Sequence, residues 1–124
     1  VMSGPSGSVY FPGDTDLFDG MRELGDVDLA LLPIAGWGRK LGPGHLDAQR
    51  AVEATRRVDP TRVVPIHWGT YSPQSWRRGQ PEWSIRPPVE FAAALERDGL
   101  GDRLDILAPT AGRLVLPTSP EVAP

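Results

Sequence analysis

Asp14, His45 and His67 are the residues whose types and placement suggest chemistry. His67 stands out most, because it closes the run Val63-Val64-Pro65-Ile66-His67-Trp68-Gly69-Thr70. That run is short and β-branched, so it reads as a buried strand. His67 then stands where a strand gives way to a loop, the place where α/β folds keep their chemistry. Gly69 lets the backbone pass close to whatever His67 holds. Pro65 cannot donate to a ladder and favours a sheet edge or a bulge. Asp14 follows the first expected strand, and His45 lies in the loop after the second. If the strands run parallel, all three groups reach one rim of one sheet. A carboxylate beside imidazoles at such a rim suits Zn²⁺ or a similar ion. Each residue also has a plainer reading. A histidine at a strand end is more often structural, Asp14 sits in a turn-forming Gly-Asp-Thr-Asp stretch, and His45 can be an ordinary loop residue. Their shared placement is what sets them apart.

Composition narrows the chemistry. The chain has 124 residues, about one small domain, with a net charge of −3 and no basic run, which argues against a nucleic-acid partner. No apolar stretch approaches the roughly 18 residues of a membrane span. There is no signal-peptide pattern and no cysteine, so the expected location is cytoplasmic, and neither a disulfide framework nor a thiolate zinc site is available. With His45 and His67 as the only histidines, any metal must sit on that pair and on carboxylates. Fourteen glycines and fourteen prolines imply many turns and few long helices.

The elements that must position these groups follow from period and stop signals. Val1 to Gly7 is small and turn-rich, a poor start for a domain. Strands are expected near Val9–Phe11, Asp28–Pro33, Val63–Ile66, Leu104–Leu107 and Arg113–Leu116. The second is apolar on both faces and so central in its sheet. Helices are expected over Leu17–Leu24, capped by Asp16, over Ala48–Val58, capped by Asp47, and over Val89–Arg97. Residues 72–88 form a long loop and 118–124 a tail, within a single domain spanning 1–124. The alternation argues for an α/β fold with a mostly open sheet. Trp37, Trp76 and Trp83 could line a pocket, and Arg39, Lys40, Arg77 and Arg78 could meet a phosphate, but packing and solvated charge are the readier explanations.

Four motifs in series carry a resemblance. They are Tyr10-Phe11-Pro12-Gly13-Asp14-Thr15, Asp28 to Ile34, Gly44-His45-Leu46-Asp47 with Ala51-Val52, and Ile66-His67-Trp68-Gly69-Thr70. Together, from about Val9 to Tyr71, they resemble the metallo-β-lactamase fold superfamily. The closest branch is the one containing the ascorbate-phosphate lactonase and the N-acyl-phosphatidylethanolamine phospholipase D. The resemblance implies that Asp14 bridges two metal ions, that His67 ligates one of them, and that His45 lies beside the metals near the substrate as the catalytic residue. It implies two divalent ions, zinc or else manganese, and a metal-activated water acting on an ester, lactone or phosphodiester bond of a small-molecule or lipid-like substrate. The shared anion makes physical sense, since two cations about 3.5–4 Å apart repel one another.

The departure from the family pattern is large. The family's His-x-His-x-Asp-His motif and a further histidine ligand lie in its N-terminal half, and this sequence contains no His-x-His. The expected architecture is therefore the C-terminal half of an αββα sandwich: one mixed sheet with flanking helices and one sheet face left to pack on the other half. Two readings follow. In the first, the chain is part of a metal-dependent hydrolase and inactive alone. In the second, it is a non-catalytic module that self-associates or binds a partner through the exposed sheet face.

Overall fold

A computed structural model describes residues 1–36, 41–69 and 82–107. Its centre is a four-stranded sheet in the order β1 (Met2–Gly4), β2 (Gly7–Tyr10), β3 (Leu29–Pro33), β4 (Arg62–Ile66). The first pair is antiparallel and the other two are parallel, so the sheet is mixed. The N-terminal residues expected to be irregular instead form β1, a short exposed edge strand. Its hairpin partner β2 is held in place by Asp28. That carboxylate accepts the Ser8 backbone N–H at 2.7 Å and the Ser8 hydroxyl at 3.1 Å, which pins β2 to the start of β3.

Register divides the sheet into two faces. Tyr10, Ala30, Leu32, Val63 and Pro65 share one face and are all buried. They form the core with α1 (Ala48–Val58) and α3 (Pro87–Arg97), chiefly with Ala51, Val52, Phe91 and Leu95. On the opposite face Val9, Leu29 and Leu31 are only half-buried. β3 is interior to the sheet, as its apolar composition suggests.

Helix α1 matches the expectation from its pattern. Asp47 accepts the Arg50 N–H at 2.8 Å as N-cap, and Asp59 closes the C-terminus in the left-handed region (φ +50°), its N–H reaching Thr55 O. The buried Thr55 hydroxyl is satisfied within the helix by Ala51 O at 2.8 Å.

Two other elements differ. The helix expected over Leu17–Leu24 is a 3-10 helix over Asp19–Glu23 with Phe18 in the cap position, and Asp16 does not cap it; its carboxylate accepts the adjacent Leu17 N–H at 2.7 Å. Leu104–Leu107 forms a single parallel bridge, Val63 to Leu104, after a 3-10 turn over Gly101–Arg103. Ile106 there is exposed, so nothing in the packing draws the rest of that stretch into the sheet. The segment expected as loop from 72 to 88 carries α2 (Glu82–Ile85) and the first two residues of α3 at its end. The strand expected at Arg113–Leu116 and the 118–124 tail lie outside the described residues. Among the described residues no helix is long and apolar enough to cross a membrane.

Pro65 is tolerated in β4 for a geometric reason. Arg62 N–H donates to Asp28 O and Ile66 O accepts from Ile34, so residues 62 and 66 turn their peptide groups toward β3. Residues 63 and 65 turn theirs away, and Val63 O accepts from Asp105 instead. The hydrogen that proline lacks would have pointed away from the ladder.

Candidate metal centre

The three residues singled out from sequence lie together at one rim. Asp14 follows β2, next to Gly13, whose φ of +69° turns the chain sharply. His45 sits in the loop between β3 and α1, anchored by the fully buried Leu46 next to it. Gly36 leaves room there, since a Cβ at that position would collide with the Leu41 side chain and lie 3.9 Å from the His45 ring. His67 comes immediately after β4. The side chain of Asp14 is 59% exposed, His45 35% and His67 31%.

The carboxylate of Asp14 lies between the two imidazoles. Its Oδ1 is 3.2 Å from His67 Nδ1, and its Oδ2 is 3.9 Å from His45 Nε2. Despite that proximity, His67 Nδ1 is buried without a hydrogen-bond partner, and so is His45 Nδ1. The carboxylate oxygen is near His67 Nδ1 but out of line for an N–H donor. Two lone-pair-bearing atoms at this separation, with no hydrogen aligned between them, form a contact that a cation reconciles. On this observation Asp14 and His67 fit two corners of a metal site. Catalytic zinc sites use three protein ligands, and among the described residues no group of three or more His, Cys, Asp or Glu is arranged to hold an ion.

His67 is held in a costly conformation. Its φ is +62°, in the left-handed region that a residue with a Cβ enters at about 1–2 kcal/mol. Gly69 follows at φ +65°. The chain therefore reverses tightly at the end of β4, and this reversal aims the imidazole back at Asp14.

Two supporting residues were not legible as such in the sequence. Asp16 was expected as a helix cap. Its carboxyl is held below the usual range first by the Leu17 N–H, then by the Arg50 guanidinium and the Gly44 N–H, and against the effect of burial. It thus ties the Asp14 loop to α1 through Arg50 and to the residue preceding His45. Trp68 is the other: its indole Nε1–H donates to Pro65 O at 3.0 Å. The signal for it was a tryptophan three residues past a strand proline. Trp37, Trp76, Arg39, Lys40, Arg77 and Arg78 lie outside the described residues, and Trp83 falls in α2.

A parallel-stranded rim carrying one carboxylate between two histidines offers oxygen and nitrogen donors of the kind divalent metal ions take. A family model described as a beta-lactamase superfamily domain matches residues 1–68, and the chain belongs to that superfamily. It is 35% identical over 112 residues to a UPF0173 metal-dependent hydrolase of Methanopyrus kandleri, covering 88% of this chain and 42% of that protein. A UPF0173 metal-dependent hydrolase of Thermus thermophilus is 46% identical over 67 residues, covering 52% of this chain and 27% of that protein. Among solved structures, the metallo hydrolase Igni18 of Ignicoccus hospitalis superposes with a TM-score of 0.60 at 31% identity, covering 82% of this chain and 38% of that one. The chain thus spans about two-fifths or less of the length of the relatives it matches.

Proposed function

We propose that the chain forms part of a metal-dependent hydrolase, with Asp14 bridging two divalent cations, His67 ligating one of them and His45 acting at the substrate. The observation that carries this reading is the contact between Asp14 Oδ1 and His67 Nδ1 at 3.2 Å, made by a buried ring nitrogen with no hydrogen-bond partner. Zinc suits an imidazole and carboxylate donor set, with manganese as the alternative. On this reading the remaining ligands would come from outside the described residues. The superfamily membership and the metal-dependent hydrolase relatives support the assignment.

The chain's own residues have separable tasks. Asp14 places one oxygen toward each histidine, so a single anion can offset the repulsion of two neighbouring cations. His67, its imidazole aimed by the strained turn after β4, would hold one of the ions. On this reading His45, whose Nε2 lies 3.9 Å from Asp14 Oδ2, holds or transfers a proton at the substrate. When bound, the cations supply Lewis acidity and lower the pKa of water. The scissile bond on this reading is an ester, lactone or phosphodiester.

The test uses the full-length protein. Metal content is measured in the wild type and in Asp14→Ala and His67→Ala, with hydrolysis of a lactone, an aryl ester and an aryl phosphodiester before and after chelation. Expected are loss of one ion from His67→Ala, a heavier loss from Asp14→Ala, and hydrolysis that disappears with chelator and returns with Zn²⁺ or Mn²⁺. Full metal content in both variants would overturn the assignment.

The opposite sheet face, where Val9, Leu29 and Leu31 are half-buried beside the buried Val64, favours a second reading in which the chain is a non-catalytic module that self-associates or binds a partner through this face. Sedimentation of the 124-residue chain as a stable monomer would count against self-association.

A further inference from the structure

Pro65 turns its carbonyl away from β3, where no ladder partner on that strand can reach it. The indole of Trp68 supplies the donor, at 3.0 Å. The rest of the Trp68 ring packs, partly buried, against the core that includes Leu32 and Phe91. The residues bracketed by this bond are Ile66 and His67, and His67 is one of only two non-glycine residues at positive φ among those described. A left-handed residue persists only when its surroundings over-determine it. Here a hydrogen bond spanning the turn and an aromatic ring seated on the core do so together, while Gly69 lets the chain leave without a second strained side chain.

We infer that Trp68 is a positioning residue: through its bond to Pro65 O it locks the reversed turn that aims His67 Nδ1 at Asp14. This rests on His67 being a metal ligand. Trp68 touches neither the ion nor the substrate in this scheme. It sets the direction of a ligand, as outer partners of ligating histidines do, and disturbing such partners weakens metal binding about 10–100-fold.

The experiment measures Zn²⁺ affinity of the full-length protein by competition with a chromophoric chelator. The variants are Trp68→Phe, which removes the donor, and replacement of Trp68 by 3-benzothienylalanine, which removes only the N–H and keeps the ring should the phenylalanine variant fold poorly. Each is made alone and combined with His67→Ala, and thermal unfolding is followed in parallel. Expected is a loss of about tenfold in affinity for one ion in the wild-type background and no further loss in the His67→Ala background. An equal loss in both backgrounds would mean that Trp68 acts on the fold as a whole, and the inference falls. No loss in either background, with His67→Ala still losing an ion, overturns the inference and leaves the site assignment standing. If His67→Ala keeps both ions at wild-type affinity, the site assignment falls and the inference with it.

Discussion

Replacing His67 separates what the site does from what it costs. At φ +62° the histidine bears the penalty of a Cβ in the left-handed region, about 1–2 kcal/mol. His67→Ala keeps the Cβ and therefore the penalty. His67→Gly removes it but makes the unfolded chain more flexible, which costs about 0.4–1 kcal/mol. The side chain is about one-third exposed and its Nδ1 makes no hydrogen bond, so little else is lost on truncation. The glycine variant should therefore be more stable than the alanine variant by about 0.5–1 kcal/mol, although both lose the proposed ligand. Urea unfolding of the two variants in the presence of chelator, with equal slopes, reads the difference directly. An alanine variant as stable as the glycine variant, or more so, would refute the strained-turn argument. The comparison also bears on function. A position more stable as glycine than as a side chain of ordinary bulk is one where stability has been given up for geometry.

Leu32 is fully buried at the centre of the sheet, and Leu32→Ala should cost about 3 kcal/mol by denaturant unfolding, the transfer of three carbon groups plus the cavity left behind. Glu53 is held below the usual carboxylate range by Arg57 and then Arg56. A depressed folded pKa contributes stability above the unfolded value, near 4.5, that is lost as pH falls through the folded value. The melting temperatures of wild type and Glu53→Gln should therefore converge as pH is lowered below that value. His45→Ala in the full-length protein should lower kcat while leaving bound metal largely intact, since His45 Nε2 stands 3.9 Å from Asp14 and outside its closer contact with His67. Loss of an ion from that variant would instead make His45 a ligand.

Local signals were enough for α1, for β3 and β4, and for which residues to watch. Asp47, the apolar spacing of Ala51, Val52 and Thr55, and Asp59 before a proline mark a helix through near-neighbour interactions, which a linear sequence contains in full. The same holds for Val63 to Ile66, a β-branched run ending at a histidine. That Asp14, His45 and His67 would meet was inferable only because equivalent strand ends share a rim when strands are parallel. The distances, the carboxylate between two rings and the unpartnered Nδ1 atoms depend on packing across 31 and 53 positions of sequence, His45 and His67 counted from Asp14. Tertiary structure alone decided three further points. β1 exists because β2 offers an edge, not because Met2 to Gly4 has strand propensity. Among the described residues, Leu104–Leu107 joins the sheet by one bridge alone, although its leucines and isoleucine suit a strand. Trp68 became a brace for His67 because Pro65 turned a carbonyl away from the ladder, and that orientation is set by register with β3, which no residue of the turn encodes by itself.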